Sequence, residues 1–461
     1  MITSSRVPVS EIELSRMDAE YYRPDLIKIS KAIFNGPNVS IEGSGAQIDC
    51  SAFYPSIVPS YNFKREGIPF LRVNEIQDGL ISIDEKTAFL PKSILDENRS
   101  TIALCHPGDL VIAKGGNSLG KVALLTKQYP IYSVCRDVLV VRTQALSKIN
   151  RFYLWMYLHS ATGQKLLIRT ASQTGQPHLT IDAVAKLRVP LVSSSEQDAV
   201  HSDYLAAEAA AELSRIAYTK AHCCLEDELR LDEFNHERPM GYTSNFSELE
   251  LSLRSDAQHY QPRFTQLVAH ISKFPTRRVR EIRRVNRRGI QPIYVEGGTH
   301  AVVNSQHLGP KHINYDGLER TTEKLFYATP EAHIRKDDLL IYTTGAYIGR
   351  TNVYLDDTPA FASNHVNILR LSPDIDHAYM AMVFQSIIGQ FQTQKHARGS
   401  AQAELYPSDI DKFIVPLLPI EKQQEIGNLV RESLTQQRES ARLLEQAKAR
   451  VEKLIEEAVA A

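Results

Sequence analysis

Residues 108–121 read G-D-L-V-I-A-K-G-G-N-S-L-G-K, and residues 337–350 read D-D-L-L-I-Y-T-T-G-A-Y-I-G-R. Alone, the first stretch spells G-x-x-x-x-G-K from Gly115 to Lys121, most of a nucleotide-binding P-loop. A P-loop also needs a Ser or Thr for magnesium and a helix directly after the Lys. Here Val122 holds the hydroxyl position, and V-A-L-L-T has strand composition. In the second stretch Thr344 replaces the first glycine and Arg350 the lysine, while Gly345 and Gly349 stand in for Gly116 and Gly120. The pair predicts a glycine turn between two strands, ended by one basic residue, rather than a nucleotide pocket. Such a turn offers backbone N–H groups and a cation to a phosphate. Lys114, Ser118 and Lys121 in one copy, and Thr343, Tyr347 and Arg350 in the other, are therefore candidate contacts.

Three further matches follow in the same order. R-M-D-A-E-Y-Y-R-P from Arg16 recurs as R-S-D-A-Q-H-Y-Q-P from Arg254. Y-L-W-M-Y-L-H-S-A-T-G-Q from Tyr153 recurs from Tyr379, and D-A-V-A-K-L-R-V-P-L from Asp182 recurs from Ser408. The offset shrinks from 238 residues (Arg16 to Arg254) to 229 (Lys121 to Arg350) and 226 (Tyr153 to Tyr379). One domain is present twice, with loops trimmed in the second copy. Short apolar runs such as I-P-F-L-R-V, D-L-V-I-A and D-V-L-V-V-R read as strands, and Arg151 to Gly163 as a helix ending at its glycine.

Each copy runs into a long stretch without Pro. Val200, Tyr204, Ala207, Ala211, Ser214, Tyr218, Ala221 and Leu225 fall at alternating spacings of four and three. Ile426, Val430, Ser433, Gln437, Ser440, Leu444, Ala447, Val451, Leu454 and Ala458 follow the same rhythm, the period of a coiled-coil seam. The fold class expected is mixed α/β (α+β): two repeated strand-rich domains separated by two long antiparallel coiled-coil helices, related by a pseudo-twofold. The expected boundaries are 1–194, a helical spacer 195–234, 235–419, and a second helical spacer 420–461.

The chain has 461 residues and a formal net charge of −1, so polyanion binding must come from local charge. The beginning of the chain lacks an apolar signal core, and no run is long enough to span a bilayer, which together predict a cytoplasmic protein. Five cysteines without a C-x-x-C pair predict reduced thiols and neither a disulfide frame nor a zinc site. No segment for methylating a base amine, no cofactor-binding glycine loop and no nucleophile constellation is present. Asp84-Glu85-Lys86 lacks the spacing of a metal-bound carboxylate pair. No catalytic residue and no metal ligand is expected.

Binding chemistry remains. The run 277–289 holds Arg277, Arg278, Arg280, Arg283, Arg284, Arg287 and Arg288 against one glutamate. Arginine suits phosphate contacts and bidentate reading of guanine. The stretch 168–179 offers Arg169, Gln173, Gln176 and His178, and its counterpart 395–405 offers Lys395, Arg398 and Gln402. Arg72 and Asn74 are expected on a strand, on the side opposite the apolar residues between them, and Arg136 stands just before the next apolar run. The competing reading of all these positions is a solvated basic surface, or loops that only cap the fold.

The repeated domain–helix plan resembles the specificity subunit of type I restriction–modification systems. The segments that carry the resemblance are I-P-F-L-R-V-N-E-I, residues 108–121, S-Q-T-G-Q-P-H-L-T-I-D-A-V-A-K-L-R-V-P-L followed by Glu196-Gln197, and their second-copy counterparts ending in Glu421-Lys-Gln-Gln-Glu-Ile. The resemblance implies a non-catalytic DNA-binding subunit with two target recognition domains, each reading half of a bipartite site in double-stranded DNA. It implies that two copies of a methyltransferase (modification) subunit dock on the helical region. S-adenosylmethionine, ATP and magnesium would then belong to partner subunits, including a restriction subunit, and this chain would bind no cofactor. The second copy departs from the first by Glu404 in place of His178. Alternatives are a specificity protein of another methylation or defence system, and a helical-rod scaffold that binds proteins.

Overall fold

The structure, a computed structural model, describes residues 6–460 apart from 10, 11, 13–15, 17, 55, 78, 82, 84, 85, 173–176, 237, 238, 316, 400 and 401. It divides into two units, Met1–Ala209 with Glu439–Ala461, and Ala210–Arg438.

In the first unit, strands β1 (Gln47–Cys50), β2 (Leu110–Ala113), β3 (Val122–Leu124) and β4 (Val138–Arg142) lie in the order β1-β4-β2-β3, all antiparallel. A second sheet holds Ile68–Leu71 parallel to Tyr132–Val134, with Ala88–Leu90 and Leu104–Cys105 at its edges. Alternation along β2 explains its unbroken apolar run. Leu110 and Ile112 pack on the helices, while Val111 and Ala113 pack on the second sheet. A strand covered on both faces has no reason to alternate with polar residues.

The predicted helix from Arg151 to Gly163 is two helices, α1 (Arg151–His159) and α2 (Ala161–Arg169). Ser160 turns extended between them, and its side chain accepts from the Gly163 N–H as the N-cap of α2. Gly163 is thus no helix stop. A Cβ there would lie 1.7 Å from the Tyr157 carbonyl oxygen, so the glycine permits the close fold-back. The chain then enters α3 (Ser194–Glu228).

The second unit repeats this plan. Strands β5 (Arg283–Arg288), β6 (Leu339–Tyr342), β7 (Thr351–Val353) and β8 (Val366–Leu371) lie in the order β5-β8-β6-β7. Helices α4 (His377–Gln385), α5 (Ile387–His396) and α6 (Ile420–Ala460) follow. Leu339 and Ile341 face the helices, and Leu340 faces the second sheet.

The repeated motifs prove to be clamps. Arg16 donates to the Arg169 and Thr170 carbonyls at 2.9 Å, and Arg254 donates to those of His396 and Ala397 at 3.0 and 2.9 Å. Each arginine so satisfies carbonyls that a helix end leaves free. Asp18 and Asp256 hold these arginines through Nε. A second pair of clamps ties each long helix to its own unit. Gln197 Oε1 accepts from the Asn150 N–H at 2.7 Å, and Gln423 Oε1 from the Asp376 N–H at 3.1 Å.

Most of the predicted seam is buried. Within the first unit Val200, Tyr204 and Ala207 of α3, and Ala447, Val451 and Leu454 of α6, are closed from solvent. There Arg450 Nε donates to Asp203 at 3.0 Å. Within the second unit Ser214 meets Ser433, and Lys422 meets Glu228 at 2.9 Å, so the two segments run antiparallel.

Candidate nucleic-acid interface

The stretch 114–121 is a hairpin connection between β2 and β3, paired Leu110↔Leu124 through Ile112↔Val122. A strand, not a helix, follows Lys121, which removes the geometry a nucleotide needs. The turn is made by glycines at positive φ: Gly116 and Gly120 at 69° and 80°, Gly345 and Gly349 at 105° and 87°. The Gly120 N–H closes the turn on the Ala113 carbonyl at 2.9 Å, as the Gly349 N–H does on Tyr342 at 2.8 Å.

Two other segments dock on the turn through main-chain groups. The Leu179 N–H donates to the Lys114 carbonyl at 2.8 Å, and the Lys114 N–H to that of Asp137 at 2.9 Å. In the second unit the Leu405 N–H donates to Thr343 at 2.9 Å, and the Thr343 N–H to His365 at 3.1 Å. Bridges Gly115↔His178 and Thr344↔Glu404 complete the correspondence.

In the first unit this scaffold closes a cleft of about 430 Å³, lined by Lys114, Arg136, Asp137, His178, Thr180 and the segment 51–53. Three residues far apart in sequence, Lys114, Arg136 and His178, thus come to one surface. Arg136 is exposed and Lys114 half-buried. Ser118 is half-buried within the turn and Lys121 exposed at its end. The cleft offers two permanent cations and an imidazole against one carboxylate, a balance that suits phosphate and base edges.

The second unit sets different side chains on the same frame. Thr343 is buried, its hydroxyl donating to the His365 carbonyl at 2.9 Å. The Arg350 guanidinium lies 3.7 Å over the Tyr347 ring, and Gln402 is exposed beside Gly345. Arg288 and Arg398 both approach the Tyr406 ring, at 4.8 and 5.7 Å. Arg398 also pairs at 2.6 Å with Asp409, which accepts from Lys412 at 3.0 Å. Burial pushes the Asp409 carboxyl up, but Arg398 and Lys412 together hold it below the usual carboxylate range.

The remaining candidates divide. Arg277, Arg278, Arg280, Arg284 and Arg287 are exposed. Arg283 is tied to Asp411 through Nε and Nη2. Arg72 and Asn74 are not on a strand, which ends at Leu71; they stand at a 3-10 turn, where Arg72 Nη2 donates to Glu75 at 2.7 Å and to the Lys86 carbonyl at 2.8 Å. Arg169 belongs to α2, its Nε donating to the Tyr21 carbonyl at 2.6 Å and its guanidinium 4.1 Å over that ring. Lys395 is half-buried in α5, where burial lowers its pKa. These three cations serve the fold. Gln173 and Gln176 lie outside the described residues. Sequence reasoning missed Phe53, which lines the cleft beside Lys114 and Arg136. Among the described residues no cluster of three or more His, Cys, Asp or Glu is placed to hold a metal, and no helix is long and apolar enough to cross a membrane.

Residues 301–446 match the family described as the type I restriction modification DNA specificity domain. No curated protein matches the chain. Among solved structures, the chain is similar to the S subunit of a type I restriction–modification system from M. genitalium, at 12% identity and TM-score 0.43, covering 92% of this chain and 96% of that one. It is similar to the HsdS subunit from Thermoanaerobacter tengcongensis at 16% identity and TM-score 0.28, over 90% and 95%. A chain from a structural study of type I complex assembly and conformational transition is similar at 15% identity and TM-score 0.29, over 92% and 97%. The family match falls within the second copy of the repeated domain, whose glycine turn is built again in the first.

Proposed function

We propose that each unit reads one half of a bipartite, asymmetric DNA site through the surface around its glycine turn. The observation that carries this reading is one main-chain frame bearing two side-chain sets. Lys114, Arg136 and His178 occupy it in the first unit, and Thr343, Asn364 and Glu404 in the second. A cationic set favours phosphate and guanine; a Glu accepts from a cytosine or adenine amine. The boundaries proposed for the reading domains are 1–194 and 235–419. In the first, Lys114, Ser118, Lys121, Arg136 and His178 contact DNA. In the second, Tyr347, Arg350, Arg398, Gln402 and the exposed arginines from Arg277 to Arg287 do so.

The long helices hold the two reading domains at a set spacing and receive two copies of an adenine-specific DNA methyltransferase. Exposed apolar side chains support such docking: Leu205 on α3 in the first unit, and Leu213 and Ile216 in the second. S-adenosylmethionine belongs to those partners, and ATP and magnesium to a restriction subunit. This chain catalyses nothing itself.

The decisive experiment maps methylated adenines in cells with and without this chain. A bipartite motif that disappears with the chain confirms the reading; an unchanged methylation pattern refutes it. Inserting one heptad between Leu225 and Leu229, matched in α6, lengthens the unread spacer and leaves both half-sites intact. Altered half-sites would overturn the spacing role of the helices.

A further inference from the structure

Phe53 leaves an aromatic ring open on the first unit's surface. Its side chain is 78% exposed, although the segment that carries it is firmly held. The Ser51 hydroxyl donates to the Val134 carbonyl at 2.6 Å and accepts from the Ala103 N–H at 2.9 Å. The Ala52 N–H donates to the Thr101 carbonyl at 2.7 Å. On the other side, the Tyr54 ring packs edge-on against buried Phe70, with centroids 6.3 Å apart, and desolvation there pushes its hydroxyl pKa up to about 12. The exposure of Phe53 is therefore presented by rigid neighbours and is not the wandering of a loose loop. It stands at the edge of the cleft that contains Lys114, Arg136 and His178.

A concave cleft with two cations fits the convex sugar–phosphate ridge of a duplex, and a residue projecting at the rim of such a cleft enters the groove beside that ridge. An aromatic residue in the major groove meets one apolar feature, the thymine methyl. We infer that Phe53 is a specificity-determining residue that packs on a thymine 5-methyl group within the half-site read by the first unit. The inference rests on the DNA-reading assignment above and goes beyond it by naming the residue and the base. The second unit has Gln291 where strand pairing places the equivalent of Phe53, so the contact belongs to one half-site only.

The test uses the complex of this chain with its methyltransferase subunits, on duplexes bearing the motif found in the cell's methylation pattern. Each thymine is replaced in turn by deoxyuridine, which removes only the methyl group. At one position the wild-type complex loses about four-fold in affinity, the value of one buried methyl group. The Phe53→Ala complex binds the unmodified duplex about ten-fold more weakly and no longer distinguishes thymine from uracil there. Its melting temperature matches the wild type, because the side chain is exposed. Four results overturn the inference: a motif without thymine, a wild type indifferent to every substitution, a Phe53→Ala complex that keeps the discrimination, or one that loses only its methyltransferase subunits. Equal binding of specific and scrambled duplexes by the wild type is a different failure, since it removes the DNA-reading assignment itself.

Discussion

In the second unit the hydroxyl oxygens of Ser214 and Ser433 meet 3.1 Å apart, both side chains buried between α3 and α6. Small seam residues let the two backbones approach, and the hydroxyls satisfy each other. Ser433→Leu inserts volume that the contact lacks and costs about 1–3 kcal/mol by overpacking. The Ser214→Ala/Ser433→Ala double variant removes both polar partners at once and is close to neutral. Urea unfolding of the full chain distinguishes the two outcomes.

Two turn glycines differ in what alanine would meet. At Gly116 nothing lies within 4 Å of an added Cβ, so Gly116→Ala incurs only the left-handed backbone penalty, about 1–2 kcal/mol. At Gly349 the same penalty is joined by a Cβ 2.7 Å from the Thr393 side chain. Gly349→Ala is therefore the more destabilising, and adding Thr393→Ala recovers part of the difference. Equal losses for the two alanine variants would contradict the structure.

Phosphate contacts are counted by salt. Lys114→Ala and Arg136→Ala each lower the slope of log affinity against log salt by about 0.9. Lys395→Ala leaves the slope where it was, because Lys395 sits in α5, where burial lowers its pKa and disfavours the charge a phosphate contact needs. A drop in slope for Lys395→Ala equal to that of Lys114→Ala would show that Lys395 also contacts phosphate.

His396 gives the second unit an acid sensitivity. Burial first, then the Lys395, His259 and Lys412 charges, lower its pKa to about 3, against a weak opposing pull from Asp409. The unfolded chain protonates this imidazole below about pH 6.5, whereas the folded one resists. Stability is therefore full above that pH and declines from there towards about pH 3, at up to about 1.4 kcal/mol per pH unit. His396→Phe, with a ring that does not titrate, flattens the dependence of melting temperature on pH between about 7 and 5. A wild-type curve already flat in that window would show that His396 titrates normally.

Repetition made the architecture legible. Arg16 and Asp18 recur as Arg254 and Asp256 because each pair clamps a helix end, and a clamp tolerates little change in residue type. The seam was legible because burial repeats with the helix period. The helix break at Ser160 was not, since Gly163 stops a helix in most contexts and only tertiary fold-back makes it a contact residue. Cations were visible as cations but not by partner: nothing local to Arg72 or Arg169 announces Glu75 beneath one or Tyr21 against the other. Phe53 was invisible, because its meaning comes from Lys114 and Arg136, which lie well beyond it in sequence.

The docking of each loop on its glycine turn uses peptide groups, from Leu179 to Lys114 and from Leu405 to Thr343. Side chains at 114, 136 and 178, or at 364 and 404, can therefore be exchanged without undoing the bonds that place them. New recognition can then arise by substitution at a few surface positions, with stability little disturbed. The same indifference lets two copies of one ancestral domain drift apart in preference while remaining alike in backbone. A lineage carrying such a chain can revise what it recognises faster than it must revise how it folds.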